Sequence, residues 1–244
     1  MRPDEHNPVL AGPDSVRAVG VVLAGGAGRR FGMPKALARA DDGSPWVQRA
    51  CRALLDGGCA DVVVVLGARA DEARELVPAT ARFVVAADWA TGIAASLRAG
   101  LAAAAELSVA QTGAAELTAA QAGAGELVVP ETAAGQAAAD ATVVREALPD
   151  VAVVTLVDLP DLRADAVRRV LGVVGGSDAA RHTLARAVYG GLPGHPVLVG
   201  RAHWNPLAAA VHGDTGAGPY LRTHGVAAVD CTDLGGGDDV DQRG

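Results

Sequence analysis

Four short apolar runs constrain this chain more than anything else in it. AVGVVLA (18–24), VVVVL (62–66), RFVVA (82–86) and VAVVTLV (151–157) are too short for helices, and their apolar residues follow one another instead of alternating with polar ones. Strands of that kind are covered on both faces. Between the runs the period changes to that of a helix. Trp46, Val47, Ala50, Cys51, Leu54 and Leu55 recur at helical spacing, and Gly57 and Gly58 stop the segment. Asp71 opens a short helix bounded by Pro78, and Thr91 is the expected N-cap of a helix running through Ser96 and Leu101. Strands joined by helices need right-handed crossovers, so the expected fold is a single-domain, Rossmann-like α/β architecture with a mainly parallel sheet and helices on both faces. Ligands then belong at the carboxyl ends of the strands.

With 50% hydrophobic but only 3% aromatic residues, the core of these 244 residues has to be built from Ala, Val and Leu. The 21 basic and 28 acidic side chains leave a formal charge of −7, which argues against a nucleic-acid partner. No run of 18 apolar residues occurs, so no membrane partner is expected. Residues 1–17 carry prolines and charges where a signal peptide needs an apolar run. They read as a disordered tail before a domain spanning 18–244, and the expected location is cytoplasmic. Cys51, Cys59 and Cys231 are odd in number and lack C-x-x-C spacing, so they read as small core residues, not as a disulfide framework or a zinc site.

One segment breaks the pattern. Residues 104–133 read AAELSVAQTG, AAELTAAQAG, AGELVVPETA, three imperfect copies of a ten-residue unit far shorter than any solenoid repeat. The segment is poor in large apolar groups and reads as an Ala-rich insertion, about 104–148, that extends a surface helix and then a loop. A partner-binding helix built on Leu107, Leu117 and Leu127 is the alternative, but leucines ten apart share a helical face only loosely.

Chemistry concentrates after the first run, in Leu23-Ala24-Gly25-Gly26-Ala27-Gly28-Arg29-Arg30-Phe31-Gly32-Met33-Pro34-Lys35. Closely spaced glycines let the main chain turn with positive φ and present N–H groups to an anion. Arg30 and Lys35 add positive charge to the same loop, which suits a triphosphate. Lys35 is the only lysine among the 21 basic residues; a compact ammonium in a chain that otherwise uses arginine points to a phosphate contact. Neither a Walker A loop nor a dinucleotide fingerprint fits, because Lys35 follows Pro34, and Gly26, Gly28 and Gly32 are one spacer too long.

At the end of the fourth run stands Asp158, in Thr155-Leu156-Val157-Asp158-Leu159-Pro160-Asp161. A carboxylate on that edge can hold Mg2+ against nucleotide phosphates, since magnesium takes one or two carboxylates together with phosphate oxygens. A turn or N-cap aspartate is the plainer reading, and that role suits Asp161 better. Asp238, Asp239 and Asp241 form a second acidic cluster, either completing a metal site or lying solvated.

On these residues the chain resembles the MobA-like NTP transferase superfamily, above all the molybdenum cofactor cytidylyltransferases, whose fold is of the nucleotide-diphospho-sugar transferase type. The resemblance is carried by L-A-G-G-x-x-x-R-x-G-x-x-K at Leu23 to Lys35, by W-x-x-G-x-x-x-S-L-x-x-G-L at Trp89 to Leu101 and by D-x-P at Asp158 to Pro160. G-H-P before a strand at Gly194 to Val199 and G-D-x-G at Gly213 to Gly216 complete it. These motifs fall in family order and cover most of the chain outside the repeat. The resemblance implies a nucleotidyltransferase: an acceptor phosphate attacks the α-phosphorus of an NTP and pyrophosphate leaves. It implies Leu23, Ala24, Gly25, Gly26, Gly28, Gly32, Lys35, Gly92 and Ser96 on the nucleotide, with Trp89 beside them. Arg30, Lys35 and Asp158 carry catalysis, Mg2+ lies between Asp158 and Asp241, and His195 and Asp214 face the acceptor. Molybdopterin is the implied acceptor, and a molybdoenzyme is a partner of the product.

The chain departs from the family at Gly218, where an arginine usually follows G-D-x-G-A, and after Asp241, where Gln242-Arg243-Gly244 replaces a Thr-Pro-Glu-Asp helix. Gly25 resembles the guanylyltransferase branch, whereas G-H-P and G-D-x-G resemble the cytidylyltransferase branch. The latter motifs cover more residues and favour CTP over GTP. Two other functions fit the same domain: an NAD(P)H-dependent oxidoreductase of the nicotine blue type, and a noncatalytic nucleotide-binding protein that delivers a cofactor.

Overall fold

The computed structural model describes residues 16–107 and 148–240. Its frame is a seven-stranded sheet in the order β3-β2-β1-β4-β6-β5-β7. The strands are β1 (Ala18–Ala24), β2 (Asp61–Leu66), β3 (Arg82–Val85), β4 (Val151–Leu156), β5 (Leu184–Tyr189), β6 (Leu192–Gly200) and β7 (Ala227–Asp230). The first four strands run parallel, β6 is antiparallel to β4 and to β5, and β7 is parallel to β5. The sheet is therefore mainly parallel, as the apolar runs require, and all seven residues of β1 are buried.

Alternate side chains of β1 feed two cores. Ala18, Val22 and Ala24 join the cluster that also holds Val47, Ala50 and Leu54 of α1 (Trp46–Asp56), Ala73 of the short α2 (Ala70–Ala73), and Ala166, Val167 and Val170 of the later helix Ala164–Leu171. Val19, Val21 and Leu23 face α3 (Ile93–Ala105) on the other side, with Leu97, Leu101, Leu207 and Leu221. The remaining helices are α4 (Ala164–Leu171), α5 (Ser177–Arg181), α6 (Trp204–Ala210) and α7 (Gly218–Thr223). Among the described residues no helix is long and apolar enough to cross a membrane.

Several local expectations need correction. β3 is not covered on both faces: it is the sheet edge, and Phe83 and Val85 are 48% and 47% exposed. Thr91 does not cap α3. Its hydroxyl donates back to the Asp88 carbonyl, Gly92 precedes the helix, and the first-turn N–H of Ala94 donates to the Gly213 carbonyl. Asp161 caps nothing either, since Arg163 is the residue before α4 and the exposed Asp161 reaches Arg49. Leu107, the first leucine of the repeat, is buried in the α3 core, which removes it from any partner-binding face. Leu117, Leu127 and the rest of the repeat lie outside the described residues, as do residues 1–15. Arg17 is already tied down, its backbone N–H donating to Asp150 and its guanidinium to Asp61.

Candidate active site

The loops that follow β1 and β4 meet at the centre of the sheet, where the crossovers from β1 to β2 and from the far side diverge. In an open α/β sheet this is where a crevice forms. Two glycines shape its floor. Gly28 has φ +60, and a Cβ there would stand 1.8 Å from the Met33 carbonyl oxygen; the turn closes with Gly32 N–H donating to the Gly28 carbonyl at 2.8 Å. Gly25 lies against α3, where a Cβ would come within 2.5 Å of Ser96 Oγ. The main chain of the loop therefore forms the wall of the crevice directly.

Pro34 ends the loop, and Lys35 opens a single turn, Lys35–Leu37, that aims its side chain back across the mouth. Lys35 Nζ donates to Asp158 Oδ2 at 2.7 Å, with the two side chains only 14% and 17% exposed. The other carboxylate oxygen, Asp158 Oδ1, is buried and has no hydrogen-bond partner. An ionised oxygen in that position is under-satisfied, which is costly unless a donor or a cation meets it. The Asp158 carbonyl accepts the Val240 N–H at 3.0 Å, so the segment holding Asp238 and Asp239 is docked beside the same loop.

The resulting cleft has a volume of ≈470 Å³, and its lining includes Leu23, Ala24, Gly25, Gly26, Gly28, Arg30, Lys35, Trp89, Gly92, Ser96, Asp158 and Asp214, all singled out in the sequence. Other residues complete the wall, among them Ala90, Ile93 and Leu156, which sequence reasoning did not place there. Gly32 belongs to the loop but not to the lining, and Asp241 lies outside the described residues. His195 opens onto a second cavity of ≈240 Å³, which shares Leu23, Ile93, Leu156 and Asp214 with the first.

His195 Nδ1 lies 3.2 Å from the Val154 carbonyl, an acceptor, so Nδ1 carries the proton and Nε2 keeps a lone pair. Burial pulls the imidazole pKa down. The Val154 bond and the charges of Asp158 and Asp239 oppose that shift, and Arg186 adds to it. Burial thus favours the neutral ring, whose Nε2 can accept. Sequence reasoning missed Arg186, which lines the second cavity. A single charge inside the strand LARAVY was the available signal, because a guanidinium is rarely spent on a strand interior without a use.

The donor set suits a hard divalent ion shared with phosphate oxygens. Among the described residues no group of three or more His, Cys, Asp or Glu could hold an ion by itself. One buried carboxylate oxygen without a partner, at the edge of a glycine loop, matches the way magnesium uses few protein ligands and several phosphate oxygens. The three cysteines are buried, and burial pushes Cys51 and Cys59 up to about 12, so they add no nucleophile.

Comparison with known proteins agrees with this geometry. The model of the MobA-like NTP transferase domain matches residues 20–115 and 106–229. Nicotine blue oxidoreductase of Paenarthrobacter nicotinovorans is 31% identical over 235 residues, covering 91% of each chain. Among solved structures, the manganese complex of Rv0371C from Mycobacterium tuberculosis superposes with a TM-score of 0.57 at 22% identity, covering 88% of both chains. A nucleotidyl transferase from Methanothermobacter superposes with a TM-score of 0.63 at 17% identity, covering 93% of this chain and 92% of the other. With its family model spanning most of the sequence and its glycine loop, Lys35 and Asp158 gathered at one crevice, the chain belongs to the MobA-like NTP transferase family.

Proposed function

We propose that this protein transfers a nucleoside monophosphate from an NTP, CTP in preference to GTP, to the phosphate of a small-molecule acceptor, with molybdopterin as the acceptor. The contact between Lys35 Nζ and Asp158 Oδ2 at 2.7 Å, across the mouth of the glycine loop, carries this reading. It sets one cation and one carboxylate, in contact with each other, on the wall of a cleft of nucleotide size. An oxygen of the acceptor phosphate attacks the α-phosphorus, a new P–O bond forms, and the bond to the β-phosphate oxygen breaks. Pyrophosphate leaves with the electron pair. No protein nucleophile takes part, so the chain contributes positioning and charge. Loop N–H groups and Arg30 hold the triphosphate, and Lys35 neutralises charge gathering on its oxygens. Asp158, with Asp241 as a second carboxylate, would hold Mg2+, which supplies charge neutralisation on the phosphates when bound.

Gly25 does not oppose CTP, because its lack of a side chain has a packing reason in Ser96 that is independent of the base. Manganese in the Rv0371C complex supports a divalent ion in this family without choosing between the two metals. A second reading has one observation in its favour, the relative named nicotine blue oxidoreductase. In that reaction a hydride passes from NAD(P)H to the pigment and a solvent proton completes the reduction.

One assay separates the two readings. The protein is incubated with Mg2+ and CTP or GTP plus molybdopterin, and in parallel with NADH or NADPH plus the pigment. The transferase reading expects acceptor-dependent pyrophosphate release that stops with EDTA. It also expects a fall of roughly 100-fold or more in Lys35→Ala and Asp158→Ala, the scale set by loss of one charge-stabilising group. Pigment-dependent NAD(P)H oxidation without pyrophosphate overturns it; tight NTP binding with neither turnover leaves the noncatalytic function.

A further inference from the structure

The second cavity carries positive charge that the transfer chemistry does not use. Its walls are apolar, formed by Leu97, Val154, Val197, Leu207 and Leu221, and Arg186 projects into it from β5. Arg186 Nε is buried without a hydrogen-bond partner, and the guanidinium makes only a long contact of 3.4 Å to the Gly194 carbonyl. A second guanidinium stands near it. Arg222 on α7 places Nη1 3.5 Å from the point where a Cβ of Gly218 would be, and Gly218 lines the same cavity. The charge of Arg222 reaches Arg186, and burial together with that like charge lowers the Arg186 pKa. Among the described residues neither guanidinium has a carboxylate partner within ion-pair distance.

A guanidinium in an apolar cavity with a buried donor unmet, and an exposed one on the helix that borders that cavity at Gly218, are under-satisfied until an anion arrives. The anion is not the reacting phosphate. Arg186 pairs with Val197, which pairs with Val154, so it lies two strands from β4, roughly 10 Å away in the plane of the sheet. We infer that Arg186 and Arg222 form an anion subsite that holds a second acidic group of the acceptor, at the end remote from its reacting phosphate. The acceptor is then a molecule with a phosphate at one end and an apolar or flat body carrying an oxyanion or carboxylate at the other. His195 lines the same cavity with Nδ1 on the Val154 carbonyl, which leaves Nε2 for a group on the acceptor body. The word acceptor rests on the transferase reading; the anion subsite does not.

Benzoate and its neutral counterpart benzamide, each small enough for the cavity, test the subsite by calorimetric or NMR titration without turnover. Wild-type protein is expected to bind benzoate at least tenfold more tightly than benzamide. That preference falls to within about twofold in Arg222→Gln, an exposed position where folding is not at stake, and in Arg186→Met, which keeps the bulk. It persists in Lys35→Ala, which removes the glycine-loop cation. Absence of a preference in wild type, its survival in both arginine variants, or its loss in Lys35→Ala alone overturns the inference. Failure of pyrophosphate release with every acceptor would instead sink the transferase reading while these titrations still decide the anion site.

Discussion

Single residues divide here into those whose role is readable from chemical type and those readable only from surroundings. Lys35 is of the first kind: one ammonium in a chain of guanidiniums, and the fold puts it on Asp158. His195 is of the second kind, since a histidine before a proline says little until its ring is seen donating to Val154 and facing a cavity. Its protonation has a measurable consequence. Burial lowers the pKa from the ordinary 6.5, so the folded chain refuses a proton that the unfolded chain accepts below that value. The histidine therefore adds no slope above pH 6.5, and stability is lost as pH falls from there toward the lowered folded value. Urea midpoints measured at pH 7, 6 and 5 should fall more steeply in wild type than in His195→Asn, by at most about 1.4 kcal/mol per pH unit for one proton. Parallel lines for the two proteins would mean that the folded ring takes up a proton as readily as the unfolded one.

At the scale of elements, the parallel half of the sheet was legible because β1, β2 and β4 are buried on both faces and so appear as unbroken apolar runs. β7 left no such mark: it is four residues long and buries only Val229. The same holds for α7, whose six residues include a glycine and a proline, yet it carries Arg222, whose Nη1 lies beside Gly218 at the edge of the second cavity. Motif glycines need separate reasons. Gly28 is demanded by its positive φ, whereas Gly100, inside α3, is demanded by the sheet below it. Alanine at 100 would gain about 1 kcal/mol of helix propensity. Its Cβ would stand 2.6 Å from Val21 Cγ1 and 3.0 Å from Val65 Cγ2, both fully buried and β-branched, so the neighbours cannot rotate away. Overpacking of this kind costs about 1–3 kcal/mol and outweighs the gain. Gly100→Ala is expected to lower stability by about 1 kcal/mol in urea denaturation, and a stabilised variant would show that α3 can lift from the sheet freely.

For the whole molecule, the decisive relation is that β1 and β4 are neighbours in the sheet although the chain between them includes two further strands and the decapeptide repeat. Sequence order alone could not supply that pairing, because apolar runs specify strands without specifying which strands touch. Once they pair in parallel, from Ala18 opposite Val151 to Leu23 opposite Leu156, the glycine loop and Asp158 leave the sheet on the same edge. The crevice follows from the register. Every described strand and both cores are built from residues outside 108–147, and α3 ends at Ala105, with Leu107 still packed in its core. The crossover from α3 to β4 needs a connection there, and the sequence of the repeat is poor in the large apolar groups a core would use. Lengthening or shortening a flexible connection changes closure entropy only slowly, by about 0.6 kcal/mol for each doubling. Replacing residues 108–147 by a flexible Gly/Ser linker of about twelve residues should leave the urea midpoint and pyrophosphate release within twofold of the full chain. Loss of transfer with an unchanged midpoint would give the repeat a role in binding, and a collapsed midpoint would make it part of the fold.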